Sequence, residues 1–329
     1  MPDYNVRTKV LQHMLSQQRN SDPNVDGTIW YKEQGLYRPI QVGVSSAKGG
    51  VGKTTLAAWL AYLSAKSGLK TAAVEFNWIN NPNLVSIVFQ DIKEKNRIRS
   101  FVTKKGIDPS LYSQSISCPN LSYFLIRNDD WINGMTIDND KKTLNAQMKI
   151  IEGLKNSNYG IVIYDFPNYA SKQMGLEPLI ETDSRVIVSQ RGDASMSTIP
   201  KIVKEIIELT KEEGYYEETK KQKLLIINRI EEESSTLKRI LARPLDELKI
   251  DKTKREFESL RPHLPEKNFF GEYVYFIQER QEIEKATGPG NIMSLNEDGI
   301  REFKSTTQNL VADIISHAIN YQKQERESK

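Results

Sequence analysis

Residues 42–55 read V-G-V-S-S-A-K-G-G-V-G-K-T-T: an apolar run, a glycine-rich turn and a Lys-Thr-Thr helix start in immediate succession. Few folds accept that order. Gly49, Gly50 and Gly52 can take backbone angles closed to other residues. Successive N–H groups can therefore turn inward and cradle a polyphosphate at a helix N-terminus, where the dipole also favours anions. The pattern sets Lys53 on the β- and γ-phosphates of a nucleotide and the Thr54 hydroxyl on Mg²⁺. Leu56, Ala57, Leu60, Ala61, Leu63 and Ala65 then recur at helical spacing, Gly68 ends the helix, and a second apolar run covers residues 70–76. Strand, phosphate turn, helix, strand is a βαβ unit. Its right-handed crossover makes the strands at 40–45 and 70–76 parallel members of one sheet.

A second landmark follows the glycine turn by about 110 residues. Tyr159-Gly160-Ile161-Val162-Ile163-Tyr164-Asp165-Phe166-Pro167-Asn168 is an apolar run ending in a carboxylate and a proline turn. A strand buried on both faces reads this way, and its C-terminal edge delivers Asp165 to the Mg²⁺ of the phosphate turn, with Pro167 and Asn168 starting a segment near the γ-phosphate. Further strands are predicted at 121–126, 185–190, 222–228 and 273–277, and helices at 84–101, 138–156, 195–213 and 302–321.

Residues 1–39 read as an N-terminal extension. A helix over 6–18 carries Val10, Leu11, Met14 and Leu15 on one face, and a polar stretch over 20–27 follows. It reads as a packing arm or a partner contact; half of a DNA-binding helix-turn-helix is the other reading, but no second helix of suitable length follows. Trp30, Tyr31 and Tyr37 are expected to cover the sheet edge before the first strand. Residues 40–323 form the nucleotide domain and 324–329 a polar tail. Within the domain the composition shifts over 231–268, where charges dominate and Pro244, Pro262 and Pro265 punctuate helices at about 234–242 and 251–260. That marks a charged helical insertion.

The 46 basic and 43 acidic residues leave a net charge of +3, so only local clustering could argue for a nucleic-acid or membrane partner. The single cysteine, Cys118, allows no internal disulfide and fits a reducing, cytoplasmic setting; it also counts against a Cys-ligated cluster within the chain. No apolar run approaches the ~20 residues of a membrane span.

The run Lys48-Gly49-Gly50-Val51-Gly52-Lys53-Thr54-Thr55, with Ala47 where the general phosphate-loop pattern has its first glycine, resembles the deviant Walker A box of the ParA and MinD group of ATPases. The resemblance spans roughly residues 40–320 and implies a doubly wound, mostly parallel sheet with helices on both faces. It further implies ATP and Mg²⁺ as cofactors, with Thr54 and Asp165 on the metal, and an ATP-dependent homodimer in which Lys48 reaches the partner's nucleotide. Asn228, ending its strand, matches the family's adenine-contacting Asn, and Ile277, Gln278 and Glu279 fall in the segment that closes over the base. Gln278 stands where proline is usual there. The family's D-x-D at the second strand is replaced by Glu75-Phe76-Asn77, which leaves Asn77 as the positional match of the water-orienting aspartate and implies slow hydrolysis; the other reading is that Glu75, a one-carbon-longer stand-in for the first aspartate, supports hydrolysis. Within such a family three roles are open: a partition ATPase that binds DNA without sequence preference and is released by a ParB-like adaptor, a membrane-positioning ATPase, or a hydrolysis-deficient scaffold.

Overall fold

The computed structural model of the chain describes residues 4–19, 27–76, 102–103, 106–107, 113–115, 118–124, 140–166, 177–191, 196–211, 221–230, 245–278 and 297–327. Its first strand, β1 (Ile40–Ser46), is buried along its whole length, as the apolar run before the glycine turn requires. It is followed by β2 (Thr71–Glu75), a small hairpin of β3 (Val102–Thr103) and β4 (Gly106–Ile107), then β5 (Ser113–Gln114) and β6 (Leu121–Phe124). The later strands are β7 (Ile161–Asp165), β8 (Ser184–Gln190), β9 (Gln222–Ile230) and β10 (Val274–Gln278). The main sheet runs β10-β9-β8-β1-β7-β2-β6-β5. Every pair from β10 to β6 is parallel, and only β5 pairs antiparallel. The expected doubly wound, mostly parallel sheet is therefore present.

The helices are α1 (Tyr4–Arg19), α2 (Thr28–Glu33), α3 (Lys53–Lys66), α4 (Asp140–Lys155), α5 (Glu177–Ile180), α6 (Ile199–Thr210), α7 (Leu245–Leu260) and α8 (Glu297–Glu327). Period-two alternation along the strands divides the core into two layers. On one face Val42, Val44, Ala73, Ile161, Ile163, Val186 and Leu224 pack with α3 and α8. On the other, Val74, Val162, Tyr164, Ile187 and Leu225 pack with α4, α5, α6 and α7.

The N-terminal extension is a packing arm. Val10 and Met14 are fully buried, Arg7 pairs with Asp313 and donates to Asn309 Oδ1 at 3.0 Å, and Gln308 Nε2 donates to Gln18 Oε1 at 2.6 Å. The aromatic group lies elsewhere than expected. His13 stacks on Trp30 at 3.9 Å, and the Tyr31 hydroxyl donates to the Ser67 carbonyl at 3.1 Å, so α1 and α2 form a further layer against the end of α3 instead of covering the sheet edge. The reason is that Ser67 ends a helix and its carbonyl lacks an intrahelical partner.

Within the 231–268 segment, residues 231–244 lie outside the described residues. The remainder carries α7 as the crossover between β9 and β10, anchored in the core by Phe257 and Leu264, with Phe269 and Phe270 buried just beyond it. The end of α8 extends to Glu327 because Gln322 Oε1 accepts from the Tyr37 and Arg38 N–H groups at 2.8 and 3.1 Å, which ties it to the start of β1. The helix expected over 84–101 lies outside the described residues.

His317 on α8 carries a pH signature. Burial holds its imidazole down at about 4, against the opposing pull of the nearby Asp183 carboxylate. The folded state keeps this ring neutral while the unfolded chain protonates near 6.5, so stability is complete above about pH 6.5 and falls as pH drops towards 4, by on the order of 3 kcal/mol. Urea unfolding of His317→Gln should show a flatter dependence of stability on pH across that window; an unchanged slope would remove His317 as its source.

Candidate nucleotide site

The site forms where β1, β2 and β7 end at the C-terminal edge of the sheet. Asp165 ends β7 and is fully buried. It is register partner to Val44 on one side and to Glu75 on the other, and its carbonyl accepts from the Phe76 N–H at 2.9 Å. Alternation then sorts the side chains. Asp165 and Glu75 share the parity of Ile163 and Ala73, so both point to the α3 face, while Phe76 and Phe166 fall on the opposite face. There Phe76 stacks against Tyr164 and Phe166 at 5.5 and 5.2 Å, which locks the two strand ends side by side.

On the α3 face the glycine turn delivers its residues to Asp165. Lys53 is 6% exposed and its ammonium pairs with Asp165 Oδ1, while the Thr54 hydroxyl donates to Asp165 Oδ2 at 2.8 Å. Two landmarks 112 residues apart thus meet as a buried ion pair. Glu75 is 4% exposed in the adjacent register position. The donor set suits Mg²⁺, which takes one or two carboxylates plus hydroxyl, water and phosphate oxygens. Among the described residues there is no cluster of three His, Cys, Asp or Glu side chains, so a cage made wholly of such side chains is not indicated there.

The turn itself has the geometry its glycines permit. Gly50 and Gly52 have φ of +77° and +88°, and Gly52 caps the N-terminus of α3, its carbonyl accepting from the Leu56 N–H at 3.0 Å. Lys48, Gly49 and Gly50 are exposed, whereas Val51 is buried in the core. Ser46 Oγ donates to the Lys48 carbonyl at 3.0 Å. Ala47, Lys48 and Val51 border a shallow cleft against Ser189, Thr198 and Ile199 at the ends of β8 and α6.

Among the expected site residues, Lys48 to Thr55 and Asp165 come together. Asn228 arrives as well, but by a contact the sequence did not suggest: its Nδ2 donates to the Val51 carbonyl at 2.9 Å. Ile277 is 3% exposed and its side chain belongs to the α3-face core, which leaves its backbone for any contact with a base. Gln278 ends β10, while Asn77, Glu279, Pro167 and Asn168 lie outside the described residues. Sequence reasoning missed Ser46 and the Phe76–Tyr164–Phe166 stack. The alternation of Glu75-Phe76 and Asp165-Phe166 was the signal that could have found the stack.

Residues 40–222 match a family model, AAA_31, described as an AAA domain. No curated protein matches the sequence. Solved structures do. A protein from Borrelia burgdorferi B31 assigned provisionally to plasmid partition, bound to AMPPNP, aligns with a TM-score of 0.56 at 18% identity over 84% of this chain and 99% of its own. An ATP complex of a Cyanothece McdA variant aligns with 0.57 at 15% over 86% and 96%. The septum site-determining protein MinD from Pyrococcus horikoshii OT3, complexed with Mg-ADP, aligns with 0.52 at 15% over 85% and 94%.

Proposed function

The chain belongs to the AAA_31 family of AAA domains and carries the fold of ParA/MinD-type P-loop ATPases, and from that premise we propose that it is a ParA-like cytoplasmic ATPase of plasmid or chromosome partition. It uses ATP and Mg²⁺. The observation that carries the reading is the convergence of Lys53 and Thr54 on Asp165 beneath a glycine turn whose first lysine, Lys48, stays exposed. Bound Mg²⁺ supplies charge neutralisation of the phosphates, and Thr54 and Asp165 would hold it. The turn's N–H groups and Lys53 orient the triphosphate, and Lys48 faces outward, where a second copy of the chain can present its nucleotide.

DNA is the proposed partner of the ATP-bound dimer, with a ParB-like adaptor releasing it. The outward residues Lys201 and Lys204 of α6 and Lys252 and Arg255 of α7 support this, because both helices cover the same face of the sheet. Other basic residues serve the fold: Lys221 Nζ donates to the Ile180 carbonyl, and Lys223 and Lys254 sit over the rings of Phe269 and Phe276 at 5.0 and 5.9 Å. Membrane positioning is the weaker reading. Leu310, Val311, Ile314, Ile315 and Ile319 of α8 are buried in the core, so that apolar face does not serve as an interfacial anchor.

The test is DNA retention with ATP and with ADP at two salt concentrations, run beside liposome flotation and light scattering. We expect retention and a dimer with ATP only, both lost in Lys48→Ala while that variant still binds nucleotide. Salt should weaken retention steeply, and Lys252→Glu with Arg255→Glu should lower it by about tenfold, the scale of losing two phosphate contacts. Retention indifferent to nucleotide and salt, or flotation with liposomes, would overturn the partition reading.

A further inference from the structure

A phosphate cradle has a requirement on its outer side. When successive N–H groups of a turn point inward, the carbonyls of the same peptides point outward, and each buried one needs a donor. Val51 is 1% exposed, so its carbonyl is such a group. The atom that satisfies it comes from the third strand along the sheet. Asn228 lies two residues before the end of β9, separated from β1 by β8, and its side-chain amide donates to the Val51 oxygen at 2.9 Å. Because Val51 offers an acceptor, the atom facing it must be the amide nitrogen.

The contact is tight as well as polar. A Cβ on Gly52 would stand 2.3 Å from that same nitrogen, so Asn228 fills the space that the glycine leaves open and lies against the peptide joining Val51 to Gly52. Gly52, at φ +88°, is the residue whose N–H and carbonyl orientations start α3 and set Lys53 towards Asp165. A rotation of the Val51–Gly52 peptide would withdraw one N–H from the cradle and break the Asn228 bond together.

We infer that Asn228 is a positioning residue for the phosphate cradle, holding the Val51–Gly52 peptide in the orientation that binds a polyphosphate, whatever base is attached. The inference rests on the nucleotide reading of the site but assigns Asn228 a task separate from reading adenine. A residue that only reads the base matters to ATP and not to a ligand without one. A residue that holds the cradle matters to both.

The experiment is calorimetric titration of the full chain with MgATP and with magnesium tripolyphosphate, which has no base, using wild type, Asn228→Ala, Asn228→Asp and Lys53→Ala. Far-ultraviolet circular dichroism melts establish that each variant is folded at the titration temperature. Asn228→Ala should lose about three- to tenfold in affinity for both ligands, the scale of one hydrogen bond. Asn228→Asp should lose more, because a carboxylate then faces the Val51 carbonyl with no proton between them. If both Asn228 variants bind tripolyphosphate as wild type does while Lys53→Ala does not, the cradle role is wrong and the nucleotide reading stands. If wild type binds neither ligand, both fall. Were Asn228→Ala to prove unfolded, Asn228→Asp and Asn228→Ser titrated with tripolyphosphate decide, and wild-type affinity in a folded one of them overturns the inference.

Discussion

Lys53→Ala is expected to abolish MgATP binding and, independently, to destabilise the protein without ligand by about 3–5 kcal/mol, the cost of leaving a buried charge without its partner. The reason is the position of Asp165, fully buried at the end of β7 with the Lys53 ammonium on one carboxylate oxygen and the Thr54 hydroxyl on the other. Removing Lys53 leaves the hydroxyl bond but no opposite charge. The double variant Lys53→Ala with Asp165→Asn should therefore regain much of the stability lost by the single one, since no uncompensated charge is left buried and only the space vacated by the lysine stem still costs, and should regain no binding. Urea unfolding and nucleotide titration read the two effects separately. Wild-type ATP affinity in Lys53→Ala would remove the phosphate-turn assignment, whereas equal instability of single and double variants would remove the buried-pair argument.

The second large effect concerns turnover. Asn77 stands where the resembling family has its water-orienting aspartate, and an amide can hold a water but cannot take its proton. A positioned base contributes about 10²–10⁴-fold to such a step, so Asn77→Asp should accelerate single-turnover hydrolysis towards that range and shorten the lifetime of the ATP dimer. Glu75 is the competing candidate. It is buried beside Asp165 in the carboxylate row facing α3, a place suited to balancing Lys53 and a metal ion, and Glu75→Gln is expected to change metal affinity while leaving turnover nearly unaltered. A fast wild-type rate that disappears in Glu75→Gln would reverse the assignment. On the proposed partition reading, slow intrinsic hydrolysis would leave the timing of the ATP state to a partner.

The helix expected over 6–18 is α1 (Tyr4–Arg19), and the strand expected over 185–190 is β8 (Ser184–Gln190), because both rest on side-chain periodicity within a short window. The placement of Trp30 and Tyr31 was misread because an aromatic cluster announces that it will be buried but not against what. Much of 231–268 looked like an insertion because its charges dominate the average. Yet Phe257 and Leu264 within its second half, and Phe269 and Phe270 directly after it, are buried in the core, so that half runs as a crossover.

Backbone freedom at glycine, helical spacing and a continuous apolar run are local properties, so the βαβ start, the phosphate turn and the carboxylate strand are legible in the residues themselves. Tertiary structure alone decided which distant groups meet. Lys53 reaches Asp165 across 112 residues and Asn228 reaches Val51 across 177, and neither pairing follows from the residues between them. Both follow from strand order and register: β7 beside β1 puts a carboxylate under the turn, and β9, two places along on the other side, puts an amide behind it. Those neighbours are chosen by burying both faces of one twisted sheet at once, a condition on the whole chain that no single segment contains.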